Sequence, residues 1–110
     1  MNKIIRKIQK HLKRISKNDE INLKELYELE KRGALVIDVR SPQEYNESHI
    51  DGAISIPEYE IEKKANECLK NKEEIIITYC STGQRSKKAK EKLEKMGYKK
   101  IYILVNTPTN

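Results

Sequence analysis

Apolar residues fall along this chain in short continuous runs separated by segments with helical spacing. That alternation predicts strands buried on both faces of a sheet, with helices between them. The runs are 34–38, 53–56, 74–79 and 101–105, all rich in Ile and Val and too short for helices. Asn22 with Glu25 three residues on predicts a capped helix start, and Leu23, Leu26, Tyr27 and Leu29 form its apolar side before Gly33 closes it. Ser41-Pro42 predicts a short turn or helix reaching to about Tyr45. Pro57 stops the second strand, and residues 58–70 predict a helix with Ile61, Ala65, Cys68 and Leu69 inward, broken at Asn71-Lys72. A helix over 86–96 turns Ala89 and Leu93 inward and ends at Gly97. The fold class is therefore α/β: a parallel central sheet of four to five strands, right-handed crossovers, and helices on both faces.

Residues 1–18 stand apart. Ile4, Ile5, Ile8, Leu12 and Ile15 recur at helical spacing among basic residues, which predicts a basic amphipathic helix with His11 on its exposed side. Its apolar stripe reads as a packing surface on the domain or on a second copy, able to cover a sheet face. The other reading is an interfacial helix that makes peripheral contact with anionic lipid through residues 1–17. The organisation is thus an N-terminal helix (1–18), one domain (19–105) and a polar tail (106–110).

Charge changes the picture less than the total of +6 suggests. Residues 1–18 carry seven of the 23 Lys and Arg and none of the 17 acids, so the remainder holds 16 basic against 17 acidic residues. A near-neutral body argues against nucleic-acid binding by the domain. There is no Trp or Phe, so a core built from Ile, Leu, Val and Ala is expected. The two cysteines, Cys68 and Cys80, form no Cys-x-x-Cys pair, so no metal and no cofactor is expected. With no apolar run long enough to span a bilayer and no signal-peptide pattern, a cytoplasmic location is expected.

The chemistry gathers at Cys80, which ends the clearest strand directly before a helix. Functional loops of such sheets lie beyond the carboxyl ends of the strands. Ser81, Thr82, Gly83 and Gln84 are short or flexible enough for successive amides to converge on one sulfur, and Gly83 permits a positive φ. Amides and a helix N-terminus aimed at a thiol favour its thiolate. Arg85 adds a positive charge at the cradle. Cys68, on a helix between apolar positions, reads as a packing residue, and His49 reads as a ring that bonds neighbouring backbone rather than as a general base.

The segments Asp38-Val39-Arg40, Glu44-Tyr45, the run from Ser48 to Pro57, and Tyr79-Cys80 through Arg85-Ser86 stand in the order and spacing of a rhodanese-like domain. The resemblance covers about residues 21–105. It implies a parallel α/β fold and a two-step sulfur transfer. Cys80 would take a sulfane sulfur from a small donor such as thiosulfate, then pass it to cyanide or a thiol, with a thioredoxin-like protein or a low-molecular-weight thiol as acceptor. It also implies that residues 81–85 form the persulfide cradle and that Asp38, Arg40, Glu44 and His49 brace the site. Related phosphatases and arsenate reductases use Cys-x5-Arg, and the shorter Cys-x4-Arg here suits sulfur better than phosphate. Ser81 stands where several thiosulfate-using members carry Arg, and the usual Gly-Gly and Trp-bearing helix after the last strand is absent from this sequence.

The expected function is a thiosulfate sulfurtransferase-like enzyme. The alternatives are a persulfide-carrying or redox module that acts with a partner protein, and a phosphatase-like or arsenate-reductase-like enzyme.

Overall fold

A computed structural model describes residues 19–105. The N-terminal helix with its stripe and His11, and the tail at 106–110, lie outside the described residues.

Five parallel strands form one sheet: β1 (Glu20–Ile21), β2 (Leu35–Asp38), β3 (Ile54–Ser55), β4 (Ile75–Tyr79) and β5 (Lys100–Leu104), in the order β1-β5-β4-β2-β3. The helices are α1 (Leu23–Glu30), α2 (Pro42–Glu47), α3 (Ile61–Cys68) and α4 (Gln84–Lys95), with a 3₁₀ turn at Glu58–Glu60. Register runs Val36 to Ile77, Ile37 to Thr78 and Asp38 to Tyr79 between the two inner strands. The sequence pattern missed β1. Two residues carry no period, and β1 exists because Glu20 and Ile21 pair with Ile103 and Leu104.

The order also decides which helix covers which face. The connections β1 to β2 and β2 to β3 step across the sheet in one direction, whereas β3 to β4 and β4 to β5 step in the other. Right-handed crossovers therefore place α1 and α2 on one face and α3 and α4 on the opposite face. The core divides accordingly. Ile37, Ile56, Ile76, Cys80 and Ile101 pack with Ile61, Ala65, Leu69, Ala89 and Leu93 of α3 and α4 and the turn after α3. Val36, Ile77, Tyr79 and Leu104 pack with Leu26 and Leu29 of α1, against which Tyr45 of α2 also rests. Alternate residues of each central strand thus serve opposite cores, as an apolar run covered on both sides requires.

Local signals account for the helix ends. Asn22 and Glu25 form a reciprocal capping box on α1, with both bonds at 2.9 Å, and Ser41 and Glu44 do the same for α2, where Pro42 takes the first position. One expectation is corrected. Cys68, assigned inward, is exposed. It is the last residue of α3, the buried stripe runs through Ile61, Ala65 and Leu69, and the chain leaves the helix at Leu69 to enter the core, which leaves the Cys68 side chain outside.

Candidate active site

The strands β2 and β4 are neighbours whose onward connections leave in opposite directions, so their carboxyl ends flank a topological switch point. Cys80 follows β4 and Val39, Arg40 and Ser41 follow β2, which brings two sequence-distant motifs to one end of the sheet.

Cys80 is 2 % exposed, and its Sγ accepts backbone hydrogen bonds from Gly83 at 3.0 Å and Ser86 at 3.3 Å. The local reason lies at the start of α4. Gly83 is its N-cap, with φ of 88°, and brings no side chain to bond the first-turn amides. Sulfur takes the acceptor role that a Ser or Asp cap ordinarily fills at the third helical residue. A Cβ on Gly83 would meet nothing within 4 Å, so glycine is required there by its backbone angle rather than by space. Burial pushes the Cys80 thiol up, but the Ser86 hydroxyl and the amides of Ser86, Gly83 and Thr82 outweigh it and hold the thiol below its ordinary value. The loop therefore favours a negatively charged sulfur.

Ser86 is a member of this cradle that the sequence reading left outside the loop of 81–85. It is fully buried, and its Oγ has no nitrogen or oxygen partner. A small polar residue in the first turn after the loop is the signal that could have found it. Replacing Ser86 with Ala is expected to raise the Cys80 pKa and slow alkylation by iodoacetamide severalfold at neutral pH. Thiolate absorbance followed against pH checks the first effect, and Ser86→Thr, which keeps the hydroxyl, should restore most of it.

Arg85 stands at the rim with its charge already paired. Its Nη1 donates to Glu44 Oε1 at 2.6 Å and its Nη2 to Glu44 Oε2 at 3.1 Å, with Ser81 Oγ accepting a further bond from Nη2 at 3.2 Å. This modifies the expectation of Arg85 as a positive charge for the cradle, because a carboxylate brought from α2 meets both ends of the guanidinium. The Arg85 guanidinium and the Ser41 backbone and hydroxyl bonds hold Glu44 down to about 2, so the carboxylate is charged at any ordinary pH. Any stabilisation from this pair is complete above the usual carboxylate range and is lost as pH falls toward 2. Thr82 is exposed in the loop, and Gln84, expected in the loop, is exposed as the first residue of α4.

Asp38 and Arg40 brace the other side of the switch point. Asp38 is fully buried and Arg40 is 5 % exposed. Arg40 reaches Asp38 through Nε at 3.0 Å and Nη2 at 2.8 Å, and Nη2 also donates to the Ser48 carbonyl at 2.6 Å. Tyr79 completes the group, as its hydroxyl donates to Asp38 Oδ2 at 2.7 Å and accepts from the Ile50 amide at 3.1 Å. Burial, with the Asp38 carboxylate beside it, pushes Tyr79 up to about 12 against the opposing Ile50 bond, so the phenol stays protonated as a donor. The side chains thus fasten the loop at 48–50 to the strand that presents Cys80. His49 is exposed, and its bonds go to Tyr45: Nδ1 lies 2.7 Å from the Tyr45 carbonyl and the rings stack at 3.7 Å.

An open cleft of about 540 Å³ flanks the loop, lined by Thr82, Gly83, Gln84 and Lys87 among others, and Cys80 does not line it. Among the described residues no cluster of His, Cys, Asp and Glu could hold a metal ion, and no helix is long and apolar enough to cross a membrane.

Comparison with known proteins agrees with this geometry. The family model for the rhodanese-like domain matches residues 22–106. YrkF of Bacillus subtilis (strain 168) is 43% identical over 70 residues, covering 64% of this chain and 37% of that protein. The thiosulfate sulfurtransferase PspE of Escherichia coli (strain K12) is 40% identical over 62 residues, covering 56% of this chain and 60% of that one. The chain therefore spans less than two thirds of either relative's length. Among solved structures, a rhodanese with anions from E. coli superposes with a TM-score of 0.63 at 32% identity, covering 70% of this chain and 94% of that one. With the family's motifs in register, a parallel sheet of this order and a buried cysteine at its switch point, this chain belongs to the rhodanese-like domain family.

Proposed function

We propose that this protein is a sulfurtransferase that carries sulfur as a persulfide on Cys80. The observation that supports this most is the convergence of the Gly83 and Ser86 amides on the Cys80 sulfur at the N-terminus of α4. Donors fixed on a sulfur stabilise its thiolate and, after transfer, the negative charge of a bound persulfide. In the first step the thiolate attacks the outer sulfur of a donor, a new S–S bond forms, and the donor's remainder leaves with the electron pair of the broken bond. In the second, cyanide or a thiol attacks that outer sulfur and Cys80 returns as thiolate. The first step needs a free Cys80 thiol, which a reducing cytoplasm maintains.

Arg85 and Ser81 have a supporting part in this reading, since they anchor the loop to Glu44 and hold the ring of amides in place. The partners are a small sulfur donor and a thiol acceptor, either a low-molecular-weight thiol or a thioredoxin-like protein. Incubation with a sulfane-sulfur donor followed by intact-mass measurement tests the proposal: the protein should gain one sulfur atom, lose it to cyanide or dithiothreitol, and gain none when Cys80 is replaced by Ser while Cys68 is kept. A mass unchanged with every donor class would overturn it.

A further inference from the structure

We propose that Glu44 sets the choice of donor: its carboxylate, paired with Arg85 at the rim of the Cys80 loop, disfavours dianionic inorganic donors and leaves thiol persulfides, RS–SH, as the substrate class. This deepens the sulfurtransferase reading and rests on it.

The argument begins with where the charges stand. Arg85 is the cation of the loop, and Glu44 takes both of its terminal nitrogens, at 2.6 and 3.1 Å. Ser81, the residue after Cys80, donates toward Glu44 Oε2 at 3.4 Å and so belongs to the same cluster. The Arg85 and Glu44 side chains are 36% and 33% exposed, which puts the pair at the mouth rather than beneath it. Arg40, the other arginine at this end of the sheet, is committed to the buried Asp38. With the sulfur as thiolate, the loop and its brace sum to one negative charge: two carried by sulfur and Glu44, offset by one on Arg85.

The two donor classes place different demands on such a site. Thiosulfate arrives with two negative charges. As the Cys80 thiolate bonds its outer sulfur, the bond to the sulfite sulfur breaks and sulfite leaves as a dianion with the electron pair. A free cation at the rim would ease both approach and departure; Glu44 has occupied Arg85, and Lys87 faces the neighbouring cleft, which Cys80 does not line. For RS–SH, the thiolate attacks the outer sulfur, the RS–S bond breaks, and RS⁻ leaves with a single charge and takes a proton from water. That exchange needs no extra cation beyond the amides on the sulfur.

Glu44→Gln isolates the charge. Glu44 is the third residue of α2 and closes the capping box with Ser41, a role that glutamine also fills, so α2 is retained, while the lost acceptor for Arg85 loosens the rim for both donors alike. The test compares parent and Glu44→Gln proteins with thiosulfate and with 2-hydroxyethyl persulfide, which has no ammonium group, as donors, cyanide as acceptor, over a series of salt concentrations. The kcat/KM for thiosulfate should rise about tenfold in the variant, the order expected when one charge is removed from beside a dianion across water. The persulfide should not share this gain, so the ratio of thiosulfate to persulfide kcat/KM rises by the same order, any effect of the loosened rim falling on both donors. The parent's thiosulfate kcat/KM should also rise with added salt, as repulsion is screened, and flatten in the variant. A ratio of thiosulfate to persulfide kcat/KM that is unchanged or lower in a folded variant would overturn the proposal. A parent rate that falls with salt would overturn it without any variant. If Cys80 of the parent accepts sulfur from neither donor, the sulfurtransferase reading fails with it, a result distinct from a parent that turns over while Glu44→Gln changes nothing.

Discussion

Replacing Cys80 with Ser is expected to lower thiocyanate formation from a sulfane-sulfur donor and cyanide by at least about a thousandfold, the scale on which enzymes lose rate when a covalent nucleophile is removed. The hydroxyl of serine ionises far above neutral pH, and the amides of Gly83 and Ser86 that suffice to favour a thiolate fall well short of producing an alkoxide. The fold should survive. Oxygen accepts the same two amide bonds, and the exchange removes one buried polarisable atom from a core otherwise formed by aliphatic side chains and Tyr98. Steady-state rates with matched melting curves check both halves. Loss of rate together with loss of folding would show that the sulfur is there for packing.

Replacing Arg40 with Ala should have the largest effect on stability, about 3–5 kcal/mol, read from the urea midpoint. Arg40 and Asp38 are both buried, and truncating the arginine leaves the carboxylate with Tyr79 and the Arg40 backbone amide as its remaining donors and no countercharge. It also releases the Ser48 carbonyl, which loosens the loop that Tyr79 holds through Ile50. A domain of this size has about 5–15 kcal/mol in all, so the variant should be folded in the cold and marginal when warm. Because Arg40 acts through Asp38 and the 48–50 loop, sulfur transfer measured where the variant is fully folded should stay within a few-fold of the parent. A much larger loss of rate in folded protein would instead assign Arg40 to the chemistry.

The elements of this fold were legible wherever a local rule suffices. Continuous apolar runs specify strands covered on both faces, Asn22 with Glu25 and Ser41 with Pro42 specify helix starts, and Gly83 supplies the left-handed backbone that turns the chain from β4 into α4. For the same reason Cys80 could be singled out, since strand, loop and helix N-terminus are consecutive in the chain. The family motifs further pointed to Asp38, Arg40 and Glu44 as braces, and each of them does engage a partner at the switch point.

Other features depend on partners far away in sequence. β1 is two residues that become a strand only beside β5. Cys68 shares its helix with an inward stripe, and the point at which the chain turns into the core decided that it faces water. Arg85 looked like a cation offered to the sulfur until a carboxylate 41 residues away in the chain, delivered by α2, paired with it. Tyr79 joined Asp38 across the same interval because β2 and β4 lie in register. By itself the sequence determined the nucleophile candidate and the backbone that surrounds it, because conformational preference and helix capping act over a few residues. Tertiary structure alone decided which charges are available at the mouth of that loop, because the net field at the sulfur depends on which side chains the sheet order brings together.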